Sequence, residues 1–169
     1  MRLFVACKPD KKVLDALVFM QEQMKKQGVY GNYTPLSNLH ITLSFIGEYD
    51  RPGKVLEAMK TVEFSPFDIS VKGTGNFSDL YYAKMNVPDG LFTYVKDLRA
   101  AFDAAGIPYD KKKFTPHITL LRRANKPVTG NISSAGASMT ADRVILMRSE
   151  RGERGMIYSA LGYVSGRDN

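Results

Sequence analysis

The phrase His-Ile-Thr-Leu occurs twice, at His40 to Leu43 and at His117 to Leu120, and it accounts for both histidines of the 169-residue chain. The two copies stand 77 positions apart (117 − 40). In an extended strand, residues i and i+2 share a face. Each copy therefore aims an imidazole and a hydroxyl together, His40 with Thr42 and His117 with Thr119, while Ile and Leu anchor the strand to a core. An imidazole titrates near pH ~6.5, so one member of a pair can be neutral while the other is protonated. Such a pair supplies a general base and a general acid at once. That combination suits in-line displacement at phosphorus: one ring deprotonates the nucleophile and the other protonates the departing oxygen. Threonine hydroxyls are suited to hold the non-bridging oxygens, where negative charge resides.

One strand histidine alone reads as a structural hydrogen-bonding residue. Two copies sharing His and Thr at matched positions favour a site. Other chemistries are poorly served. Two His and one Cys, without a close-spaced pair such as His-Glu-x-x-His, do not make a zinc centre, and the paired chemistry needs no metal or other cofactor. There is no Gly-x-Ser-x-Gly elbow for a serine hydrolase. "GTGNFS" (Gly73 to Ser78) lacks the lysine and helix of a phosphate-binding loop and reads as a turn.

The elements that must position these groups follow from patterning. "RLFVA" is a short apolar strand, followed by a helix between Pro9 and Gly28 with Val13, Leu14, Leu17, Val18 and Met24 on one face. "LHITLSFI" alternates, predicting Leu39, Ile41, Leu43 and Phe45 on one side and His40, Thr42 and Ser44 on the other. "RPGKVLEAMKTV" predicts a second helix and "FDISVKG" a strand. The order then restarts. "LYYAKMNV" is a strand, Pro88 opens a helix bearing Leu91, Val95, Leu98 and Phe102, Gly106 closes it, and "FTPHITLL" is the second histidine strand. Leu3 and Leu80 share the 77-residue offset, and Gly28 and Gly106 miss it by one. Strand, helix and histidine strand thus recur in register, as an internal duplication would leave them. "DRVILMRS" and "MIYSALGYV" predict two closing strands. The "ERGERG" between them hints at RNA-binding arginine-glycine repeats but reads first as a hairpin turn. Residues 122 to 141 form a polar stretch, either a loop close to the site or a short strand.

The chain length fits one domain, residues 1–169, with a core that needs no disulfide. The single cysteine, Cys7, sits in "LFVAC", where the preceding apolar run is too short for a signal peptide. It reads as a buried strand cysteine in a reducing compartment, and a cytoplasmic location is expected. No run is long and apolar enough to span a membrane. A net charge of +7 and a pI near 9.5 favour a polyanionic partner. Lys111 to Lys113 and Arg122–Arg123 bracket the second histidine phrase, where a phosphate site would gain from cations.

"NLHITLSFIGE" and "FTPHITLLRR" resemble the paired His-x-Thr motifs of the two-histidine phosphoesterase superfamily. Within it, the chain is most similar to the RNA 2′,3′-cyclic phosphodiesterases once named 2′-5′ RNA ligases, and "MRLFVA" and "YSALGYV" carry the likeness to both ends. The resemblance implies an α+β fold of two pseudo-symmetric lobes, each an antiparallel sheet with helices packed outside, around a central cleft. It implies RNA ends or cyclic nucleotides as substrates, no membrane association, and a monomer without an obligate protein partner. By motif position, His40 would protonate the leaving ribose oxygen and His117 would activate water, leaving a 2′-phosphate; Thr42 and Thr119 would bind the phosphate. The residues themselves give the pair but not which member does which. Arg122 matches an arginine that assists phosphate binding in the family, although strict alternation turns it away from His117 and Thr119. Phe4, on the strand duplicated at Tyr81, could stack a base, although core packing is the first reading there. The tryptophan that relatives often carry before the first motif is missing here, with Tyr30 or Tyr33 in its region. The arginine of the strand after the midpoint is replaced within "DLYYAKM". Two alternatives stay open: the same fold acting on another 2′-5′ or cyclic phosphodiester metabolite, and a non-catalytic RNA-end binder.

Overall fold

The computed structural model describes residues 1–166; the last three positions of the expected domain lie outside the described residues. Strand β1 (Arg2–Cys7) leads into helix α1 (Lys11–Lys26), then β2 (Asn32–Tyr33) and a short 3₁₀ turn (Leu36–Asn38). Next come β3 (Ile41–Glu48), α2 (Pro52–Lys60), β4 (Phe67–Phe77), β5 (Leu80–Asn86) and α3 (Asp89–Ala105). The chain closes with β6 (His117–Arg122), β7 (Ser138–Ala141), β8 (Arg143–Gly152) and β9 (Gly155–Ser165).

Local chemistry sets the helix ends. The Asp10 carboxylate accepts a hydrogen bond from the Val13 amide at 3.0 Å and caps α1, satisfying one of the amides that a helix start leaves free. Lys25 and Lys26 lie in its last turn, where the helix dipole is negative. Helix α3 ends on Gly106 at φ 70°, a left-handed conformation that glycine adopts without steric cost.

All strand pairings are antiparallel. One sheet runs β3-β1-β8-β9 and the other β2-β6-β5-β4-β7. Setting aside β2, the two orders match, β3 with β6 and β1 with β5, so the histidine strand occupies the same place in each. This is the two-lobed α+β arrangement that the family resemblance implied, with the two similar lobes that the duplicated pattern suggested. The helices are exchanged between lobes. α1 follows β1 of the first sheet but lies against β6 and β7 of the second, whereas α3 follows β5 of the second and lies against β3 of the first. One apolar cluster consequently runs through both lobes, from Leu3, Val5 and Ile41 to Leu98, Phe102, Ile118 and Leu120. At about 25 cal/mol per Å² of apolar surface removed from water, this continuous burial is the main force joining the lobes.

One sequence expectation needs correction, and one left open is decided. "GTGNFS" is not a turn: β4 continues through Phe77, and only Ser78 and Asp79 form the two-residue link to β5. The 122–141 stretch, open between a loop near the site and a short strand, carries no helix or strand over 123–137 and does not line the cleft beyond Arg122. It ends in β7 and is fastened along α1, where Gln27 Nε2 donates to the Thr129 carbonyl (2.6 Å) and Gln23 Nε2 to that of Ser133 (2.7 Å). Cys7 is the buried strand residue expected, its thiol donating to the Arg143 carbonyl at 3.4 Å. Burial pushes that thiol up to about 12. Among the described residues no helix is long and apolar enough to cross a membrane.

Candidate active site

A cavity of about 1280 Å³ opens between the two sheets, and His40, Thr42, His117, Thr119, Arg122 and Phe4 all line it. The tertiary fold thus brings the two histidines, the two threonines, Arg122 and Phe4 to one place. Both imidazoles are held the same way. His40 Nδ1 lies 2.7 Å from the carbonyl of Asn38, and His117 Nδ1 lies 2.6 Å from the carbonyl of Thr115, two residues back in each copy. A carbonyl only accepts, so Nδ1 carries the proton in both rings. Nε2 is therefore the nitrogen free to exchange protons. In the first copy it meets Thr42 Oγ1 at 2.9 Å. Asn38 is itself fixed by its side-chain amide, which donates to the Met156 carbonyl of β9 at 2.8 Å.

Aromatic rings frame each imidazole. Phe4 and Tyr158 stand 5.0 and 5.3 Å from the His40 ring. Tyr82 and Phe77 stand 5.2 and 6.1 Å from that of His117. Burial lowers the pKa of His40; the Asn38 carbonyl opposes this, and the positive charges of His117, Lys8 and Arg122 add to the lowering. Phe4 is only 4% exposed. Its geometry supports a packing role beneath His40 rather than an open platform for a base.

Strict alternation fails in both histidine strands, for the same reason. Between β1 and β3, Ala6 pairs with Thr42 and Val5 with Ser44, leaving Leu43 as an extra residue. Between β5 and β6, Tyr82 pairs with Thr119 and Tyr81 with Leu121, leaving Leu120 extra. A bulge of this kind reverses the facing of everything after it. The two bulges occupy matched positions, the second leucine-class residue of each motif. Ser44, expected beside His40 and Thr42, is instead 2% exposed in the core, and Phe45, expected in the core, lines the cavity. In the second copy, Leu120 and Leu121 are both buried and Arg122 turns back to the cleft, which removes the objection that alternation raised. Gly31 permits the edge strand to approach here: a Cβ on it would lie 2.6 Å from the Arg123 carbonyl and 2.7 Å from that of Arg122.

Lys111 to Lys113 and Arg123 do not line the cleft; all four are exposed elsewhere. The cations come instead from Arg122 and from the first sheet, where Arg2, Arg148, Arg151 and Arg154 line the wall against Glu48 and Glu150. These four arginines were missed in the sequence. The one signal, for Arg151 and Arg154, was "ERGERG", and nothing in the order of residues says that this hairpin sits beside β1 and its Arg2. Of the two tyrosines weighed for the missing tryptophan, Tyr33 lines the cleft and Tyr30 does not. Among the described residues, no three His, Cys, Asp or Glu side chains gather as a metal site would require.

Two antiparallel lobes that each turn a His-x-Thr face into one cleft define a two-histidine phosphoesterase architecture. A family model for the 2′-5′ RNA ligase superfamily matches residues 19–153, and the chain belongs to that superfamily. Curated relatives carry the name RNA 2′,3′-cyclic phosphodiesterase. That of Thermus thermophilus is 30% identical, aligned over 95% of this chain and 88% of its own length. That of Thermotoga maritima is 26% identical, over 95% and 93%. Among solved structures, one from Thermus thermophilus superposes with a TM-score of 0.83 at 29% identity, covering 99% of this chain and all of its own. E. coli LigT complexed with 3′-AMP superposes with a TM-score of 0.86, covering 99% and 98%; at 22% identity it speaks for the fold alone.

Proposed function

We propose that this protein hydrolyses 2′,3′-cyclic phosphate ends of RNA or nucleotides to 2′-phosphates, with the two histidines as acid and base and no metal in the reaction. The observation that carries the proposal is the matched pair of imidazoles, each with Nδ1 committed to a carbonyl and both lining one cavity. The oxygen of water forms the new bond to phosphorus while His117 Nε2 takes its proton. The bond from phosphorus to the ribose 3′-oxygen breaks, and His40 Nε2 supplies the proton that oxygen needs. Thr42, Thr119 and Arg122 hold the non-bridging oxygens. The curated relatives named above support this choice of substrate.

His40 has a lowered pKa before substrate arrives, partly because His117, Lys8 and Arg122 repel its proton. A donor role therefore depends on the bound phosphate, whose negative charge offsets those cations and returns the proton to His40. The test is turnover of 2′,3′-cyclic AMP in excess EDTA. The expected product is 2′-AMP, with at least a hundredfold loss in His40→Ala and in His117→Ala, the lower end of what acid–base groups contribute. Activity abolished by chelation and restored by zinc would remove the metal-free mechanism, and RNA recovered unchanged would leave an end-binding protein. The core shared by both lobes supports reading the chain as one domain. The chemistry is complete within one chain, so a monomer is expected on size-exclusion chromatography, and the buried Cys7 thiol fits the reducing cytoplasm.

A further inference from the structure

We infer that Arg2, Arg151 and Arg154 form a second anion site, which binds the phosphodiesters upstream of the cyclic end and makes an oligonucleotide a better substrate than a mononucleotide. The inference rests on the reaction proposed above and adds the direction in which the strand runs.

In-line displacement places the attacking water and the departing oxygen on opposite sides of phosphorus. With water at His117, the departing 3′-oxygen and the nucleoside that carries it lie at His40. The 5′-phosphate of that nucleoside, and every nucleotide before it, then continues along the first sheet. The wall there is built for anions. Arg2 pairs with Ser149, and Ser149 pairs with Tyr158, whose ring lies 5.3 Å from that of His40. Arg2 is on the face of Phe4, two residues on, and its guanidinium rests 4.9 Å above the Phe45 ring. Arg151 is on the face of Ser149 and pairs with Met156, one row further from His40. Two strand residues span ~7 Å, within the reach of one sugar–phosphate repeat. Arg154 stands beyond it, in the Glu153–Arg154 turn of the β8–β9 hairpin.

Neighbouring charges separate these arginines from the rest. Arg148 has its own counterion, Glu150, at 3.2 Å. Glu48, opposite Arg2, is engaged by the chain's amino terminus at 3.2 Å. Among the described residues, Arg151 and Arg154 enter no ion pair with any carboxylate. All three line the same cavity as the His-Thr pairs, and Arg151 and Arg154 follow Ser149 towards the hairpin end of the wall. The cavity, at about 1280 Å³, also exceeds the ~300–1,000 Å³ usual for a small-ligand site. The second sheet offers something different beside His117: the stacked pair Phe77 and Tyr82, with Lys84 as the cation of that strand.

The deciding experiment compares kcat/KM for an adenosine pentanucleotide ending in a 2′,3′-cyclic phosphate with that for 2′,3′-cyclic AMP. The wild-type protein, Arg151→Ala/Arg154→Ala and Lys84→Ala are each assayed over a range of salt. The wild type is expected to favour the pentanucleotide at least tenfold at low salt. In the double arginine variant the ratio falls towards one, and the dependence of log kcat/KM on log salt becomes shallower by about 1.4, from about 0.7 per single-strand phosphate contact. Because each ratio is taken within one protein, partial misfolding does not imitate the loss. A wild-type ratio near one, or a double variant that keeps the preference, overturns the inference while turnover of cyclic AMP leaves the reaction standing. Loss of the preference in Lys84→Ala alone would place the strand on the second sheet and also overturn it. Failure of the wild type to turn over either substrate is failure of the proposed reaction itself.

Discussion

His40 is a partly buried ring that must exchange a proton, and these two properties oppose each other. Its carbonyl partner, Asn38, favours the charged form, but burial and three nearby cations outweigh it, so the folded pKa lies below 6.5. The sign of the consequence follows by linkage. Above 6.5 the ring is neutral in both folded and unfolded chains and adds no pH dependence. As pH falls below 6.5, the unfolded chain accepts a proton that the folded chain resists, and stability declines until the folded pKa is passed. Thermal melts at pH 7.5 and 5 are therefore expected to differ less for His40→Gln than for wild type. An equal difference in both proteins would show that the ring is not held neutral by the fold. His117 shares the fixed Nδ1 but has more open surroundings, so the two halves of the duplication supply unlike groups from the same four residues.

At the scale of the element, the bulges after Thr42 and Thr119 decide which side chains reach the substrate. Without them, Ser44 and Leu121 would enter the cleft while Phe45 and Arg122 would be directed into the core. Burial on the core side leaves the Ser44 hydroxyl without a hydrogen-bond partner. An unpaired buried polar group costs about 1–3 kcal/mol. Ser44→Ala is accordingly expected to leave kcat/KM unchanged and to raise stability by up to about 1 kcal/mol, as measured by urea denaturation. A large fall in kcat/KM with the fold intact would place Ser44 in the cleft and refute the bulge. This is where the sequence was least legible. Periodicity found every long strand and helix, because the apolar faces repeat over many residues, but it lost the second half of β4, where "GTGNF" has no apolar alternation. A single inserted residue inside "ITLSF" leaves no compositional mark, since leucine, serine and phenylalanine are all acceptable in a strand.

At the scale of the whole molecule, each lobe is covered by a helix that follows a strand of the other. Gln21 of α1 shows the coupling: its side-chain amide donates to the carbonyls of Leu120 and Thr34, each at 3.0 Å, and so grips the second sheet at the bulge that aims Arg122. Gln21→Ala removes the side-chain donor from both carbonyls: that of Leu120 keeps the Thr34 amide at 3.0 Å, and that of Thr34 loses its Gln21 bond. Stability should fall by about 1–3 kcal/mol, and KM for the cyclic phosphate should rise as Arg122 loses its support. Unchanged stability and KM together would mean that the helix does not brace the site.

The residues alone determined the duplicated histidine strands, the order of strands and helices, the buried cysteine and the chemistry that a His-Thr pair can perform, because each of these depends on local spacing. Only the tertiary structure decided that α1 covers the other lobe, that the strand facing reverses after each motif, and that Arg2 of β1 and the arginines of the β8–β9 hairpin join Arg122 in lining the cleft. Those outcomes depend on pairing between segments distant in sequence, where register and packing set the geometry and no short run of residues encodes it.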